Sequence, residues 1–413
     1  MPASSPHVIS LGCRLNIAES ETIRALLTGR DTVVVNSCAV TGEAVKATRR
    51  AIRRARRERP DAELVVTGCA AQIDPAAFAA MPEVDRVLGN AEKLAPAAWA
   101  PGGAAVQVQD IMAVRDVAPH LAAAFAEHAR AFVEVQNGCD HRCTFCVIPY
   151  GRGNSRSVPA GAVVERIAAL VDAGHAEAVL TGVDLTSYGA DLPGSPTLGA
   201  LVERILRHVP GLRRLRLSSL DSIEIDRRLF ALLTQEPRVM PHVHLSLQAG
   251  DDMVLKRMKR RHSRVDAVRI VERLKAARPE IAIGADLIAG FPTETAAMFA
   301  NTLALVGDCD VVHGHIFPYS PRAGTPAARM PQVAPEVVKA RAAMLREAAA
   351  ARRAAWLAGL AGTEQEVLAE RPGDRGHAGN FAEVRLAAPA RVGEIVRVRI
   401  ETEGNGMLIG VRA

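Results

Sequence analysis

Apolar runs alternate with helical stretches over residues 1–105 of the chain. Three runs are rich in β-branched residues, VISL (8–11), TVVVN (32–36) and ELVVT (63–67), and each precedes a stretch of helical spacing. Strands that alternate with helices are typical of a parallel sheet covered by helices. The pattern therefore predicts a small α/β domain. Pro and Gly residues in APAAWAPGGA (95–104), with the Ala-rich stretch to about residue 130, predict a linker after it.

A longer alternating series occupies residues 125–358. Its candidate strands are 131–136, 178–182, 213–219, 242–248, 282–290 and 311–320. Amphipathic helices are predicted at 160–173, 197–208, 224–235, 252–277, 293–306 and about 334–358. Six strand–helix units in a row predict a partial barrel of parallel strands, in which chemistry lies at the carboxyl ends of the strands. An open twisted sheet would give the same order of elements.

The pattern changes again over residues 360–413. Apolar and polar residues alternate with a period of two in EVLAE, AEVRLAA, EIVRVRIET and MLIGVRA, and Gly-rich segments such as RPGDRGHAGN (371–380) predict turns between them. A period of two indicates strands with one buried face. We predict a small antiparallel β-barrel, which makes the whole chain a mixed α/β protein of three domains. Its arginines either contact an RNA backbone or belong to a purely structural cap.

The composition adds a mild positive charge to this picture. The chain has 413 residues, 49% of them hydrophobic, and a formal charge of +6. Its first ten residues lack a basic segment followed by an apolar run, and no uninterrupted apolar stretch of about 18 residues is present. We therefore expect a cytoplasmic protein without a secretory signal or a membrane span.

One predicted helix concentrates the positive charge. The segment KATRRAIRRARRER (46–59) contains six closely spaced arginines, Arg49, Arg50, Arg53, Arg54, Arg56 and Arg57. Such a run is either a solvated helix face or a contact for phosphates, which would relieve the repulsion between like charges. We predict an RNA contact on this helix.

The strongest chemical signal is the spacing Cys139-Asp-His-Arg-Cys143-Thr-Phe-Cys146. These three thiols follow the strand predicted at 131–136, where a barrel places its active site. Thiolates suit zinc or iron–sulfur clusters, and three of them leave one metal position open for a substrate or cofactor. A zinc site that uses His141 as the fourth ligand is the alternative.

A second set of cysteines follows the three strands of the first domain. Cys13, Cys38 and Cys69 each stand just beyond the carboxyl end of a strand, and these ends meet at one edge of a parallel sheet. A single cysteine at such a place is more often a small buried hydrophobe. Three in equivalent places predict a second cluster with an open iron. Cys309 has no such partners, and we predict a buried core residue.

These motifs identify the chain as similar to a known family. CxxxCxxC after the first barrel strand resembles the radical S-adenosylmethionine (SAM) superfamily, and LGCRLN, NSCAVT and VTGC with a TRAM-like terminal domain resemble the radical SAM methylthiotransferases. Further matches are TGVDLTSYG, LSLQAGDDMVLKRMKR, DLIAGFPTET and HIFPYSPRAGTPAARM. Arg14 after the first cysteine, with Glu19 and GTPAARM, is most similar to the MtaB type, because other branches typically carry Gln or Pro at that position.

The resemblance implies an activity, cofactors and partners. The MtaB type adds a methylthio group at C2 of N6-threonylcarbamoyladenosine next to the anticodon, at tRNA position 37. Two 4Fe–4S clusters are implied, one that binds and cleaves SAM to generate a deoxyadenosyl radical, and an auxiliary one that holds the transferred sulfur. A second SAM is the implied methyl donor. A tRNA anticodon loop, a low-potential electron donor such as flavodoxin or ferredoxin, and a monomeric state are expected.

The resemblance also implies a set of cofactor-binding residues. They lie beside the last cluster cysteine, at the ends of the second and fourth barrel strands and in DLIAGFP: Phe145, Thr181, Gly182, Asp184, Ser246, Gln248 and Gly290. Packing would explain Phe145 nearly as well, and a simple turn would explain Gly182.

Four other residues in or near these motifs allow further interpretations. Val158 stands where many relatives have arginine. Arg260 either meets a carboxylate or phosphate or is an ordinary exposed helix arginine. His313 and His315, two apart on one strand, are expected to line the core or the substrate and not to bind a metal.

Two other functions remain open from the sequence. One is a methylthiotransferase for isopentenyladenosine tRNA or for an aspartate of a ribosomal protein. The other is a non-catalytic RNA-binding protein stabilised by zinc or by a cluster. Iron, sulfide and zinc content would separate the second alternative from an enzyme, because two cubane clusters predict about eight irons per chain.

Overall fold

The computed structural model describes residues 6–115, 129–404 and 406–413. They form a parallel α/β unit, a central barrel of parallel strands and a small closed β-barrel. This arrangement confirms the predicted α/β fold class. Part of the predicted linker, residues 116–128, lies outside the described residues. None of the helices that are described has the length and apolar character needed to cross a membrane.

The first unit is a five-stranded parallel sheet in the order of the sequence. Its strands are β1 (His7–Ser10), β2 (Thr32–Ser37), β3 (Glu63–Gly68), β4 (Arg86–Leu88) and β5 (Val106–Gln107). Its helices are α1 (Arg14–Leu26), α2 (Gly42–Glu58), α3 (Cys69–Ile73) and α4 (Pro75–Ala79). Strands β2 and β3 are buried almost throughout because helices cover both faces of the sheet.

The segment 95–104, predicted as a linker, is instead an ordered part of this unit. A 3-10 helix spans Pro96–Trp99, and the buried Trp99 packs against Val8, Val34 and Leu88. The chain then enters β5, the edge strand beside β4. The linker prediction was wrong because Pro and Gly residues flank a large apolar side chain, Trp99, and its burial anchors the segment to the sheet.

The central unit contains six long parallel strands that neighbour one another in sequence order. The six are β6 (Arg130–Glu134), β9 (Glu177–Thr181), β10 (Arg214–Leu217), β11 (His242–Gln248), β12 (Ala282–Ala289) and β13 (Val311–Pro318). Two short strands between β6 and β9, β7 (Gln136–Asn137) and β8 (Arg156–Ser157), form a separate antiparallel pair. The helices are α5 (Ile148–Arg152), α6 (Ala160–Asp172), α7 (Leu198–His208), α8 (Arg227–Gln235), α9 (Asp252–Met258), α10 (Arg264–Ala277), α11 (Ala296–Asp308) and α12 (Pro335–Ala358).

The strand order supports the partial barrel over a doubly wound open sheet. Strand β9 lies between β6 and β10, and β12 lies between β11 and β13. Two parallel bridges, Leu215 to Val239 and Leu220 to Leu245, join the two groups of strands. The order therefore runs from β6 to β13 without the reversal that marks a doubly wound sheet. Ala18 of α1 belongs to the same hydrophobic core, so α1 packs beside this barrel.

Alternate residues of the barrel strands point in opposite directions. One set, exemplified by Val133, Leu180 and Ala285, packs in the apolar core with the surrounding helices. The other set faces inward and is largely polar. Its members that matter below are Arg130, Glu177, Arg216, His242, His244, Asp286, His313 and His315.

The terminal unit is a closed barrel in the order β14-β15-β16-β18-β17. Its strands are β14 (Glu364–Glu370), β15 (Arg375–Ala378), β16 (Glu383–Leu386), β17 (Ile395–Gly404) and β18 (Met407–Arg412). Most pairings are antiparallel, although β16 and β18 are parallel. Strand β15 lies inside RPGDRGHAGN, which the sequence predicted as a turn. The prediction was wrong because a short Gly-containing segment has a low strand propensity of its own and forms a strand here by pairing with its neighbours.

A loop of the terminal barrel packs against the inward residues of the central barrel. Phe381, at a left-handed φ of 69°, stacks on the rings of His242 and His377 at centroid distances of 4.9 and 4.5 Å. The guanidinium of Arg216 lies 5.0 Å from the Phe381 ring centroid. These contacts hold Phe381 at the amino ends of the barrel strands, opposite the ends where a barrel places its active site.

Candidate active site

The CxxxCxxC segment lies in a loop that backbone hydrogen bonds fix at both ends. The Cys139 amide donates to the Gly153 carbonyl at 3.0 Å, and the Thr144 amide donates to the Met258 carbonyl at 3.1 Å. The Thr144 hydroxyl also donates to the Arg257 carbonyl. All three thiols are half-buried, and the charges of Cys143 and Cys146 act on Cys139. The structure thus brings the predicted trio together.

Burial makes these thiols reluctant to ionise without a metal. Desolvation raises the pKa of Cys146 to about 12, and it also raises the pKa of Cys139, on which the nearby Asp184 carboxylate acts in the same direction. A metal ion reverses this preference, since a coordinating thiol is deprotonated. One cation already favours the thiolate, because Arg260 donates from a guanidinium nitrogen to Cys143 Sγ at 3.7 Å.

The second trio also converges, at the carboxyl edge of the first sheet. Strands β1, β2 and β3 are in register, with Ser10 opposite Asn36 and Ser37 opposite Gly68, and each cysteine lies within three residues of its strand. A side chain at Gly12 would approach Cys38 Sγ within 2.9 Å, so glycine is needed for this close packing. Burial, with smaller contributions from the charges of Cys69 and Cys13, raises the pKa of Cys38 to about 11.

A buried ionic network lies directly behind the second trio. The Glu19 carboxylate forms ion pairs with the Arg152 guanidinium at 2.6 Å and with the Lys93 ammonium at 2.7 Å. All three side chains are at most 2% exposed. Asn90 accepts a hydrogen bond from Lys93, and Asn16 accepts one from Arg152. Burial alone would raise the pKa of Glu19, but the two cations outweigh it and bring the pKa down to about 2. The network keeps one net positive charge beside the thiols.

The helix α5 connects the two trios. It follows Cys146, and it carries Gly151, whose missing side chain leaves room for Cys69, with a Cβ there lying 3.1 Å from Cys69 Cβ. Arg152 ends the same helix and donates from Nε to Cys69 Sγ at 3.2 Å. The two sets of thiols therefore face the same region from two domains.

The donor chemistry of both trios fits iron–sulfur clusters with one open metal position each. Buried polar atoms without a partner also lie at and beyond the carboxyl ends of β9 and β10 and on Arg260, which contacts Cys143. Thr181 Oγ1, Ser218 Oγ, Ser222 Oγ and Arg260 Nε are buried and lack a hydrogen-bond partner among the described residues. Buried polar groups are normally bonded, so these atoms are consistent with a bound polar cofactor such as SAM.

Three of the predicted cofactor residues end strand β9 beside the first trio. Thr181 is buried, and a side chain at Gly182 would meet Gln136 Oε1 at 2.9 Å. The Asp184 carboxylate accepts hydrogen bonds from Ser187 at 2.7 Å and from Cys139 at 3.6 Å. Asp184 therefore already ties the cysteine loop to β9.

Two other predicted residues end strand β11. Gln248 has a left-handed φ of 67°, a strained conformation for a residue other than glycine. Neither the Ser246 hydroxyl nor the Gln248 amide has a hydrogen-bond partner in the described ranges, and both side chains are half-buried. Both groups are thus available to a ligand at the carboxyl end of the barrel.

Phe145 and Gly290 have packing roles that need no ligand. The Phe145 ring meets Phe291 edge to face at 6.4 Å within a small apolar cluster. Gly290 has a φ of 72°, and a Cβ there would come within 2.6 Å of Val338. Their predicted cofactor contacts stay predictions.

Several other sequence interpretations can be compared with the structure. The His141 ring nitrogen Nε2 contacts Asp184 at 3.1 Å and Arg261 at 2.8 Å. These contacts do not support the alternative in which His141 is a zinc ligand. Arg260 is not an exposed helix arginine: its side chain is 8% exposed and it pairs with Asp221 at 2.8 Å. Cys309 is fully buried in the core, as predicted. Val158 packs against the barrel core.

The six arginines of α2 have different local roles. Arg56 donates to the carbonyls of Pro60, Ala62 and Glu83, so it holds the helix to the following loop. Arg50 and Arg54 pair with Glu43 and Glu58 at 2.6 and 2.7 Å on the exposed surface. Arg49, Arg53 and Arg57 are also exposed. Five of the six are therefore open to a partner.

The buried ionic network of Arg152, Lys93 and Glu19 beside the second trio was not predicted from the sequence. Arg152 and Glu19 are 133 positions apart, and Lys93 and Glu19 are 74 apart, so no local spacing points to either pair. Glu19 appeared only as part of a motif. A signal did exist in α1, where Asn16 and Glu19 are polar residues on the buried face of a helix.

Comparison with known proteins agrees with this geometry. Residues 133–306 match the radical SAM superfamily, and residues 6–89 match an uncharacterized protein family, UPF0004. A threonylcarbamoyladenosine tRNA methylthiotransferase, MtaB, of Rickettsia prowazekii is 48% identical over 95% of this chain and 94% of its own length. A tRNA-2-methylthio-N(6)-dimethylallyladenosine synthase of Cereibacter sphaeroides is 34% identical over 97% of both chains.

Among solved structures, the radical SAM methyltransferase TsrM from Kitasatospora setae is similar in fold. The TM-score is 0.55 at 18% identity, over 72% of this chain and 64% of that one. The likeness supports the barrel architecture, while the relatives share nearly the full length of the chain. This chain belongs to the radical SAM methylthiotransferase family.

Proposed function

We propose that this protein transfers a methylthio group to C2 of N6-threonylcarbamoyladenosine at position 37 of tRNA. The observation that carries the proposal is the convergence of two cysteine trios, Cys139-Cys143-Cys146 and Cys13-Cys38-Cys69, on one region between two domains. One trio suffices for a SAM radical enzyme. A second trio with an open metal position supplies what a sulfur transfer needs in addition.

Each trio would hold a 4Fe–4S cluster through three thiolates. When bound, the clusters and SAM supply the radical, the sulfur and the methyl group. The chain itself positions these groups and excludes water. Arg260 and Arg152 each donate a hydrogen bond to a sulfur of one trio, which stabilises the thiolate form. Thr181, Gly182, Ser246 and Gln248 surround the first trio and are the residues that we propose for SAM or substrate.

Two surfaces of the chain fit a tRNA partner. The exposed arginines of α2 form one, and Arg385, Arg397 and Arg399 alternate with buried apolar residues on the outside of the terminal barrel and form the other. Phosphates would offset the repulsion within each set. An electron donor such as flavodoxin or ferredoxin belongs to the proposal, and so do a monomeric state, which is the favoured one, and a cytoplasmic location.

The decisive experiment is mass spectrometry of tRNA nucleosides after anaerobic incubation of the reconstituted enzyme with SAM and dithionite. The substrate is tRNA that carries threonylcarbamoyladenosine but lacks the methylthio group. We expect a gain of one methylthio group on that nucleoside. Product on dimethylallyladenosine tRNA alone would favour the activity named for the Cereibacter relative, and zinc in place of iron and sulfide would contradict an enzyme of this class.

A further inference from the structure

Arg14 differs from the other cations around it because, among the described residues, no carboxylate pairs with its guanidinium. It follows Cys13 directly and opens helix α1. Among the described residues, its guanidinium has no hydrogen bond or ion pair, although the side chain is half-buried. An arginine that is withdrawn from water without an acceptor is unfavourable, which suggests that a ligand provides the acceptor.

The neighbours of Arg14 place its guanidinium inside the central barrel. Its Cζ lies 5.6 Å from the centroid of Phe381, the residue at the amino ends of the barrel strands. The charges that act on it are those of Arg130, Arg216, Glu177 and Asp286, all on inward positions of barrel strands. Arg14 therefore reaches from the edge of the first sheet, beside a cluster cysteine, into the interior of the second domain.

The other inward arginines each pair with a carboxylate of the protein. Arg130 pairs with Glu370 at 2.7 Å, and Arg216 pairs with Glu177 at 3.0 Å. Arg214 donates to the Glu366 carbonyl at 2.7 Å. Among the inward arginines of the described residues, Arg14 is thus the one without a carboxylate partner, which leaves its charge for an added anion.

The two inward carboxylates that act on Arg14 already have other partners: Glu177 pairs with Arg216, and Asp286 pairs with two histidines. Asp286 Oδ1 lies 3.0 Å from His244 Nε2 and 3.2 Å from His315 Nδ1. The three side chains form a hydrogen-bonded row across β11, β12 and β13, with His315 60% exposed and Asp286 21% exposed. These three polar side chains face the same barrel interior as Arg14, and His315 is the most exposed of them.

We propose that Arg14 binds the carboxylate of the threonylcarbamoyl group on the target adenosine, with His315 as a neighbouring polar contact. The inference rests on the proposed function and names the residue that selects its substrate. An arginine offers two parallel donors that match a carboxylate. Arg14 begins one residue after Cys13, while its guanidinium lies deeper, near Phe381; the base would therefore lie toward the cluster, with the threonylcarbamoyl carboxylate extended into the barrel interior. An uncharged, apolar group on the same nitrogen would leave Arg14 unsatisfied, which disfavours such substrates.

The test compares the binding of three anticodon stem-loops to the anaerobic, cluster-loaded enzyme. One carries threonylcarbamoyladenosine, one carries its methyl ester, and one carries unmodified adenosine. For the natural protein we expect the acid to bind about 10- to 100-fold more tightly than the ester, the range of a hydrogen-bonded charge. Arg14→Gln should bind acid and ester equally, and Arg14→Lys should retain part of the preference because it keeps a charge without the fork.

Two controls make the result specific. Iron content and cluster spectra of Arg14→Gln show whether the neighbouring trio is intact, and the unmodified stem-loop should bind the natural protein and Arg14→Gln within about twofold. An undiminished preference for acid over ester in Arg14→Gln would overturn the inference, as would equal binding of acid and ester by the natural protein. A failed methylthiolation of threonylcarbamoyladenosine tRNA by the natural protein would instead overturn the proposed function.

Discussion

The guanidinium of Arg152 donates a hydrogen bond from Nε to the Sγ of Cys69 at 3.2 Å. The arginine belongs to the central barrel domain and the cysteine to the first α/β domain. The other nitrogens of the same guanidinium bind Glu19, which Lys93 also contacts. One side chain thus holds the two domains together and places a positive charge on a thiol that we propose as a cluster ligand.

We predict that Arg152→Met reduces the loading of the auxiliary cluster and destabilises the protein. The loss of one partner of a buried ion pair costs about 3–5 kcal/mol. Iron should fall from about eight toward about four per chain, since the first trio does not contact Arg152. Iron and sulfide analysis and the melting temperature measure the two effects.

Lys93→Met is the matched control for that variant. Lys93 shares Glu19 with Arg152 but donates no hydrogen bond to Cys69, so its loss should lower stability while the auxiliary cluster still assembles. Equal iron loss in both variants would mean that Arg152 acts through domain stability alone. Full iron content in Arg152→Met would contradict any role at the cluster.

The two cysteine trios should separate in function. Cys143→Ala should abolish the cleavage of SAM, because the first trio is proposed to bind it. Cys38→Ala should leave SAM cleavage measurable and stop methylthiolation, with iron at about four per chain in each variant. Deoxyadenosine and methylthio nucleoside, both quantified by mass spectrometry, provide the two readings. Survival of both products in Cys38→Ala would refute the proposed division.

Local patterns predict much of this fold, but not where elements pack together. The stretch 252–277 was predicted as one helix because its amphipathic spacing continues through it. The structure divides it into α9 and α10, since Lys259 adopts a left-handed φ of 59° and Ser263 forms a capping box with Asp266. The sequence contains this capping pair, Ser263 and Asp266, but the continuous amphipathic spacing favoured the prediction of a single helix.

The candidate site shows the same limit. Cysteines at strand ends can be placed by topology alone, because parallel strands share an edge. The partners of Arg152, Arg260 and Arg14 depend on how two domains dock, and no sequence spacing encodes that. Arg260 would be exposed if it lay on the outer face of a continuous helix. It lies instead in the turn between α9 and α10, which brings its side chain to Cys143 in the cysteine loop.

The exposed arginines of α2 should contribute to the salt dependence of tRNA binding. Substitution of Arg50, Arg53, Arg54 and Arg57 by Gln removes up to four phosphate contacts, so the slope of log K against log salt should become shallower by about 3. Affinity at low salt should fall accordingly. Filter binding at several salt concentrations measures the slope. Arg56→Gln is the control, because its bonds are internal and its loss should lower stability with little effect on the slope; an unchanged slope in the fourfold variant would remove α2 from the interface.

The stability of the protein should fall as the pH drops below neutral because of His313. Burial, together with the charge of the neighbouring Arg353, lowers the pKa of His313 from 6.5 to about 3. Arg353 can only donate, so its contact of 2.8 Å to His313 Nδ1 requires a neutral ring. The unfolded chain therefore binds the proton first, and the stabilisation is complete above pH about 6.5 and declines toward pH about 3. Between pH 7.5 and 5 the loss is about 2 kcal/mol.

Urea unfolding at several pH values tests this expectation, followed by tryptophan fluorescence, to which Trp356, 5.1 Å from the His313 ring, contributes. His313→Gln retains an oxygen that accepts the Arg353 hydrogen bond but cannot be protonated in this range, so its stability should depend less on pH by about 2 kcal/mol. His208→Gln, at the exposed end of α7, should keep the dependence of the natural protein. An identical dependence in His313→Gln would show that other groups govern the acid sensitivity, and that the buried ring carries no share of it.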